Sequence, residues 1–121
     1  MRLPLPAVAA SVRDGRHAAR EFLEGRVARI DDVVTVVGEL LSNAVSHGYR
    51  RGGEGSMMLE VRRSRDALTV SVADDGGGMR PNLGGGGLGM GLAIVAALAE
   101  RLEIETSADG GTLVRARFAE G

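Results

Sequence analysis

The order of hydrophobic periods in this 121-residue chain predicts an α/β (α+β) domain. The architecture expected is a two-layer α/β sandwich, with helices on one face of a mixed, mostly antiparallel sheet. Three observations predict it. Apolar residues recur at helical spacing in two early segments and one late segment. They follow strand spacing in two pairs of short segments, and Asp109-Gly110-Gly111 offers a hairpin turn inside the last pair. The resulting order, helix, helix, strand, strand, helix, strand, strand, leaves helices covering one side of strands that pair with their sequence neighbours.

Residues 1–10 are short, apolar and punctuated by proline, which suits an edge strand or arm because proline cannot donate to a ladder. From Ser11 to Glu24 the spacing of Val12, Ala19, Phe22 and Leu23 predicts a helix, with Ser11 as a possible cap. Asp31 and Asp32 favour the start of a second helix. Ile30, Val33, Val34, Val37, Leu41, Ala44 and Val45 then form one apolar stripe, and Gly48 could end it in a left-handed conformation. RRGGEG at 50–55 reads as a turn, followed by strands at 57–61 and 68–74. A glycine-rich stretch occupies 74–91, helical periodicity resumes over 91–102, and EIETSA with GTLVRARF closes the chain. No internal repeat and no long linker divides it, so residues 1–121 are expected to be one domain.

Composition removes several functions. Hydrophobic residues make up 44% and charged residues 26%, which predicts a globular fold. With three aromatics, Phe22, Tyr49 and Phe118, the core must be aliphatic. The net charge of −1 and the scattered arginines argue against direct nucleic-acid binding. Cysteine is absent, so there is no disulfide framework or thiolate chemistry. No membrane-length apolar run or signal-peptide core is present, and a cytoplasmic protein is the default expectation. All 15 basic residues are arginine, and with 19 glycines this points to a GC-rich bacterial genome. The lack of lysine also excludes a Walker A loop and a protein-kinase strand, each of which places a lysine on phosphates.

Two constellations remain. In GELLSNAVSHG (38–48), Glu39 and Asn43 lie roughly 40° apart at about 100° per residue, opposite the apolar stripe. That spacing fits an ordinary solvated face as well as the wall of a site. Downstream, Asp74 ends a strand before Gly76 and Gly78, which let the backbone turn closely past a ligand. Gly87, Gly89 and Gly91 then alternate directly into an apolar helix, whose unpaired N–H groups and dipole favour an anion. A Rossmann reading fails because no strand leads straight into these glycines and no βαβ unit surrounds them.

Taken in order, Glu39-x-x-x-Asn43, Asp74-x-Gly76-x-Gly78, Gly87-x-Gly89-x-Gly91 and Gly111-Thr112 resemble the N box, the two glycine boxes and the terminal threonine of the GHKL (Bergerat-fold) ATP-binding proteins. The likeness covers roughly residues 30–118. Within that superfamily, ELLSNAVSHGY and SVRDGRHAAREFLEG (11–25) look most like the anti-sigma-factor serine/threonine kinases of bacterial partner switching. The resemblance implies ATP or ADP with Mg²⁺ as ligands. It makes Glu39 the catalytic base and Asn43 the Mg²⁺ ligand. Asp74 would read the adenine amino group, with Gly76, Gly78 and Met79 against the nucleotide. Gly87, Leu88, Gly89, Met90 and Gly91 would hold phosphates in place of a lysine, and Thr112 would complete the adenine pocket. His47 could touch the phosphates or simply be exposed at a helix end. A sigma factor and a small antagonist protein are the implied partners, with a homodimer the implied assembly.

The sequence departs from the family in two places. Eight residues, 79–86, separate Gly78 from Gly87, where many relatives carry a longer lid, and Leu88 stands where relatives often carry threonine or another polar residue. A shorter lid closes less over a triphosphate and excludes less water. Two rivals to the kinase are therefore kept. One is a binding module without phosphotransfer. The other is a detached ATP domain of a histidine kinase, which would need a phospho-accepting histidine on a two-helix unit; His17 is followed by alanine, not an acidic residue, and nothing before residue 11 could supply one.

Overall fold

The computed structural model describes residues 1–50, 55–75, 88–106 and 111–119, with the backbone alone for 47–50 and 88–90. In chain order the elements are β1 (Arg2–Pro6), α1 (Ala10–Leu23), α2 (Ile30–Arg50), β2 (Ser56–Arg63), β3 (Ala67–Asp74), α3 (Leu88–Leu98), β4 (Arg101–Thr106) and β5 (Thr112–Ala119). The strands form one sheet in the order β1-β2-β3-β5-β4. Each described pairing is antiparallel, the limiting case of the mostly antiparallel sheet expected.

Alternation explains why the sheet has one dry face. Leu59 and Val61 of β2, Leu68, Val70 and Val72 of β3, and Val114, Ala116 and Phe118 of β5 all point to the helices and are buried. The opposite face carries Glu60, Arg62, Thr69, Ser71 and Arg115, which are partly or fully exposed. The N-terminal segment is indeed an edge strand, pairing Leu3 with Leu59 and Leu5 with Met57. Its two prolines, Pro4 and Pro6, are tolerated because only one side of an edge strand must donate.

Helix α2 lies in the middle of the helical layer, against α1, α3 and β3. Val33, Val36, Val37, Leu40, Leu41 and Ala44 are all at most 3% exposed, so the β-branched run is buried as a helix between neighbours on three sides. Gly15 allows the α1–α2 approach, since a Cβ there would run into the Leu41 Cδ1 methyl. Phe118 is the one aromatic among the buried core residues, and the core is otherwise aliphatic as composition demanded.

Three local expectations are corrected. Ser11 does not cap α1: the N-cap position is Ala9 without a side-chain hydrogen bond, and Ser11 lies in the first turn, 1% exposed. Gly48 does not end α2, which runs on to Arg50; glycine permits a left-handed residue without forcing one. Gly25, at φ 76°, instead makes that turn after α1, where Glu24 N–H bonds the Arg20 carbonyl. The third helix ends at Leu98 and not Leu102, because Glu100 N–H already bonds the Arg117 carbonyl and draws the chain into β4. The turn expected at 50–55 and the hairpin turn at 109–111 fall mostly on residues outside those described. No helix among the described residues is long and apolar enough to cross a membrane.

Candidate functional site

The site begins on α2. Asn43 is 6% exposed and Glu39, one turn earlier, is half-buried. Helical spacing alone allowed a solvated face here; the burial of Asn43 removes that reading. What covers this side of α2 is α3, whose start is rich in glycine. A Cβ built on Gly91 would stand 2.8 Å from Glu39 Oε2. The carboxylate thus occupies space that any side chain at Gly91 would claim, in the first turn of a helix whose free N–H groups and dipole favour negative charge. The two sequence motifs, some fifty residues apart in the chain, meet at van der Waals range.

A second group forms at one end of the sheet. Asp74, last residue of β3, and Thr112, first residue of β5, are Cα partners across the ladder. By alternation both lie on the helix side, continuing the rows Val70–Val72 and Ala116–Val114. Thr112 is 2% exposed and Asp74 half-buried. They border a cavity of about 250 Å³ that also touches Glu105, Thr106, Gly111 and Leu113. Strand parity also separates the two neighbouring aspartates. Asp75 leaves the strand and accepts hydrogen bonds from Ser56 N–H (3.0 Å) and Ser56 Oγ (2.9 Å), holding the β3 end against β2.

The remaining sequence candidates are placed as follows. Leu88, Gly89 and Met90 form the first helical turn of α3, so the helix starts inside the glycine cluster and not after it. His47 lies in the α2 backbone past Asn43. Gly76, Gly78, Met79 and Gly87 lie outside the described residues. His17 sits on the exposed face of α1 and pairs with Glu21 at 3.3 Å, a surface role. Among the described residues no group of three or more His, Cys, Asp or Glu side chains gathers as a metal site. Thr106 escaped the sequence reading. It is the Cα partner of Thr112 in the β4–β5 ladder and lines the same cavity. Counting the hairpin register back from Asp109-Gly110 would have found it.

Comparison with known proteins agrees with this geometry. The family model for the histidine kinase-like ATPase domain matches residues 5–118. The chain belongs to that family. Within it, curated relatives include the anti-sigma F factor of Clostridium beijerinckii, 28% identical over 76% of this chain and 72% of the relative. The anti-sigma F factor of a Thermoanaerobacter species is 30% identical over 77% of this chain and 72% of its own length. Among solved structures, the catalytic domain of the histidine kinase ThkA superposes with a TM-score of 0.63 at 16% identity, covering 99% of this chain and 97% of that one. The mycobacterial sensor histidine kinase MprB gives 0.62 at 14% identity, covering 98% of each. This is the GHKL ATP-binding fold, and the curated relatives make the chain most like the anti-sigma-factor branch of that family.

Proposed function

We propose that this histidine kinase-like ATPase domain is an anti-sigma regulatory factor. In this reading it binds Mg·ATP, phosphorylates a serine or threonine of a small antagonist protein, and holds a sigma factor, acting as a homodimer. The observation that carries the reading is Glu39 lodged against Gly91 at the start of α3, with Asn43 buried one turn beyond. A carboxylate fixed where a helix N-terminus would hold the terminal phosphate is within reach of a hydroxyl approaching that phosphate. Glu39 would accept the proton of the attacking hydroxyl. The first turn of α3 would orient the phosphates through backbone N–H groups, and Asp74 beside Thr112 would select adenine. Bound Mg²⁺ would neutralise phosphate charge, with the Asn43 side-chain oxygen as its protein ligand.

A pure binding module is favoured over the kinase by one feature, the eight residues between Gly78 and Gly87. Two variants and two measurements separate the readings. Glu39→Ala should keep nucleotide affinity nearly intact and lower phosphotransfer by about 10²–10⁴-fold, the usual contribution of a positioned acid–base group. Asn43→Ala should weaken Mg·ATP binding itself. Equal loss of binding in both variants, or no transfer by the wild type to a cognate antagonist, would leave the binding module standing.

A further inference from the structure

At one end of the sheet the ladder between β2 and β3 closes on a side chain. Met57 and Asp74 are the last Cα partners of the two strands, so Ser56 and Asp75 come next in register. Asp75 N–H still bonds the Ser56 carbonyl at 3.3 Å. The reciprocal Ser56 N–H goes to Asp75 Oδ1 at 3.0 Å, where a continued ladder would offer it a main-chain carbonyl. Ser56 Oγ donates to the other carboxylate oxygen at 2.9 Å. The carboxylate thus ends the pairing in register while the strand itself stops at Asp74. We infer that Asp75 is a positioning residue for base recognition: it holds Asp74 at the border of the cavity shared with Thr112.

The direction of the effect follows from which end is anchored. Ser56 is held on its other side by β1, as the Cα partner of Pro6, and the adjoining Gly55 carbonyl accepts the Ala7 N–H at 2.9 Å. Asp75 Oδ1 lies against this anchored segment, 3.4 Å from where a Cβ on Gly55 would stand. Asp74, by contrast, is the last residue of its strand, and strand ends open first because the pairing stops there. A loosened end can rotate or slip, and a one-residue slip would turn Asp74 to the far side of the sheet. An acceptor that reads a base must be held to within about 0.5 Å by the groups behind it. The pairs from Met58 with Ala73 to Arg63 with Leu68 do not involve Asp75, so loss of its carboxylate loosens the strand end and leaves the sheet in place.

The inference rests on the reading of Asp74 as the residue that selects adenine. Titration calorimetry with Mg·ATP, Mg·GTP and Mg·tripolyphosphate tests it, the last carrying phosphates without a base. Wild type should prefer ATP. Asp75→Ala should raise the Kd for Mg·ATP by about tenfold and leave the other two within about twofold of wild type, whereas a general loss of structure would weaken all three. Asp75→Asn should bind as wild type does, because its Oδ1 still accepts the Ser56 N–H and the Ser56 hydroxyl can turn to accept from its amide. Ser56→Ala removes one of the two bonds and should show the same selectivity with a smaller loss, about threefold. It carries the test if circular dichroism shows Asp75→Ala unfolded. In a cycle with Asp74→Asn, the change at residue 75 should cost little more once the carboxylate it positions is gone. Wild type without preference for ATP overturns the adenine reading of Asp74 itself. Preference that survives Asp75→Ala or Ser56→Ala, equal losses for all three ligands, no rescue by asparagine, or additive losses in the cycle overturn the role of Asp75 and leave that reading standing.

Discussion

At Gly91 a single hydrogen in place of a side chain leaves the space that the Glu39 carboxylate fills. The position lies in the first turn of α3, where glycine is a poor helix former by about 1 kcal/mol relative to alanine. Its use is to leave room for the Glu39 carboxylate. Gly91→Ala should therefore hold or slightly raise the thermal midpoint, because the displaced group is the free end of a flexible side chain. Phosphotransfer should fall at the same time. A calorimetric scan beside a transfer assay checks this, and a large drop in stability would mean that the carboxylate has nowhere else to go. Asp74 permits a second residue-scale prediction. Asp74→Asn keeps the shape of the strand end but removes a charged acceptor, and ATP affinity should weaken by about 1.5–3 kcal/mol. Titration calorimetry on the folded variant measures it, and unchanged affinity would take Asp74 out of the adenine pocket.

Between elements, the contact of α1 with α2 contains two glycines with opposite consequences. Gly15 faces Leu41, which is fully buried and fixed on other sides, so the added methyl of Gly15→Ala has no room. Overpacking of this kind costs about 1–3 kcal/mol. Gly38 faces Arg16 Cδ, where a built Cβ lies 2.8 Å away, but Arg16 is exposed and can swing aside. Gly38→Ala should thus be neutral or stabilising by up to about 1 kcal/mol through helix propensity. Urea unfolding should lower the midpoint for Gly15→Ala and leave it unchanged or raise it for Gly38→Ala, with unchanged slope in both. Their sequence contexts do not separate them; each is one glycine in an amphipathic helix. What differs is whether the neighbour across the interface is anchored.

For the molecule as a whole, the two layers are joined where Arg29 bridges three elements. Its Nη2 donates to the Leu98 carbonyl at the end of α3 (3.0 Å) and to Asp32 in the first turn of α2 (2.9 Å), and its guanidinium lies 5.6 Å from the Phe118 ring on β5. Phe118 is the largest fully buried side chain in an otherwise aliphatic core. Phe118→Ala should cost about 3–5 kcal/mol, a large part of the roughly 5–15 kcal/mol that stabilises a domain of this kind. Equilibrium unfolding in urea tests this, and a loss below about 1 kcal/mol would mean that the layers close over the gap.

The fold class and most strand and helix assignments were legible in the sequence because periods of 3.6 and 2 are local properties. They depend on how each residue's Cβ points from its own backbone, and Val33 to Ala44 or Leu68 to Val72 report it without reference to any neighbour. Element ends were less legible. Ser11 and Gly48 lie inside helices where a cap or a stop was allowed but not required, and the Arg117 carbonyl draws Glu100 out of α3. Only the tertiary structure decided that the polar side of α2 is covered. Periodicity gives the direction of Glu39 and Asn43 about their own helix axis, but not what stands in that direction. That required α3 to pack beside α2, and the pairing of β3 with β5 to bring Asp74 to Thr112. These contacts join segments distant in sequence, so their free energy belongs to the folded chain and to no single window of it.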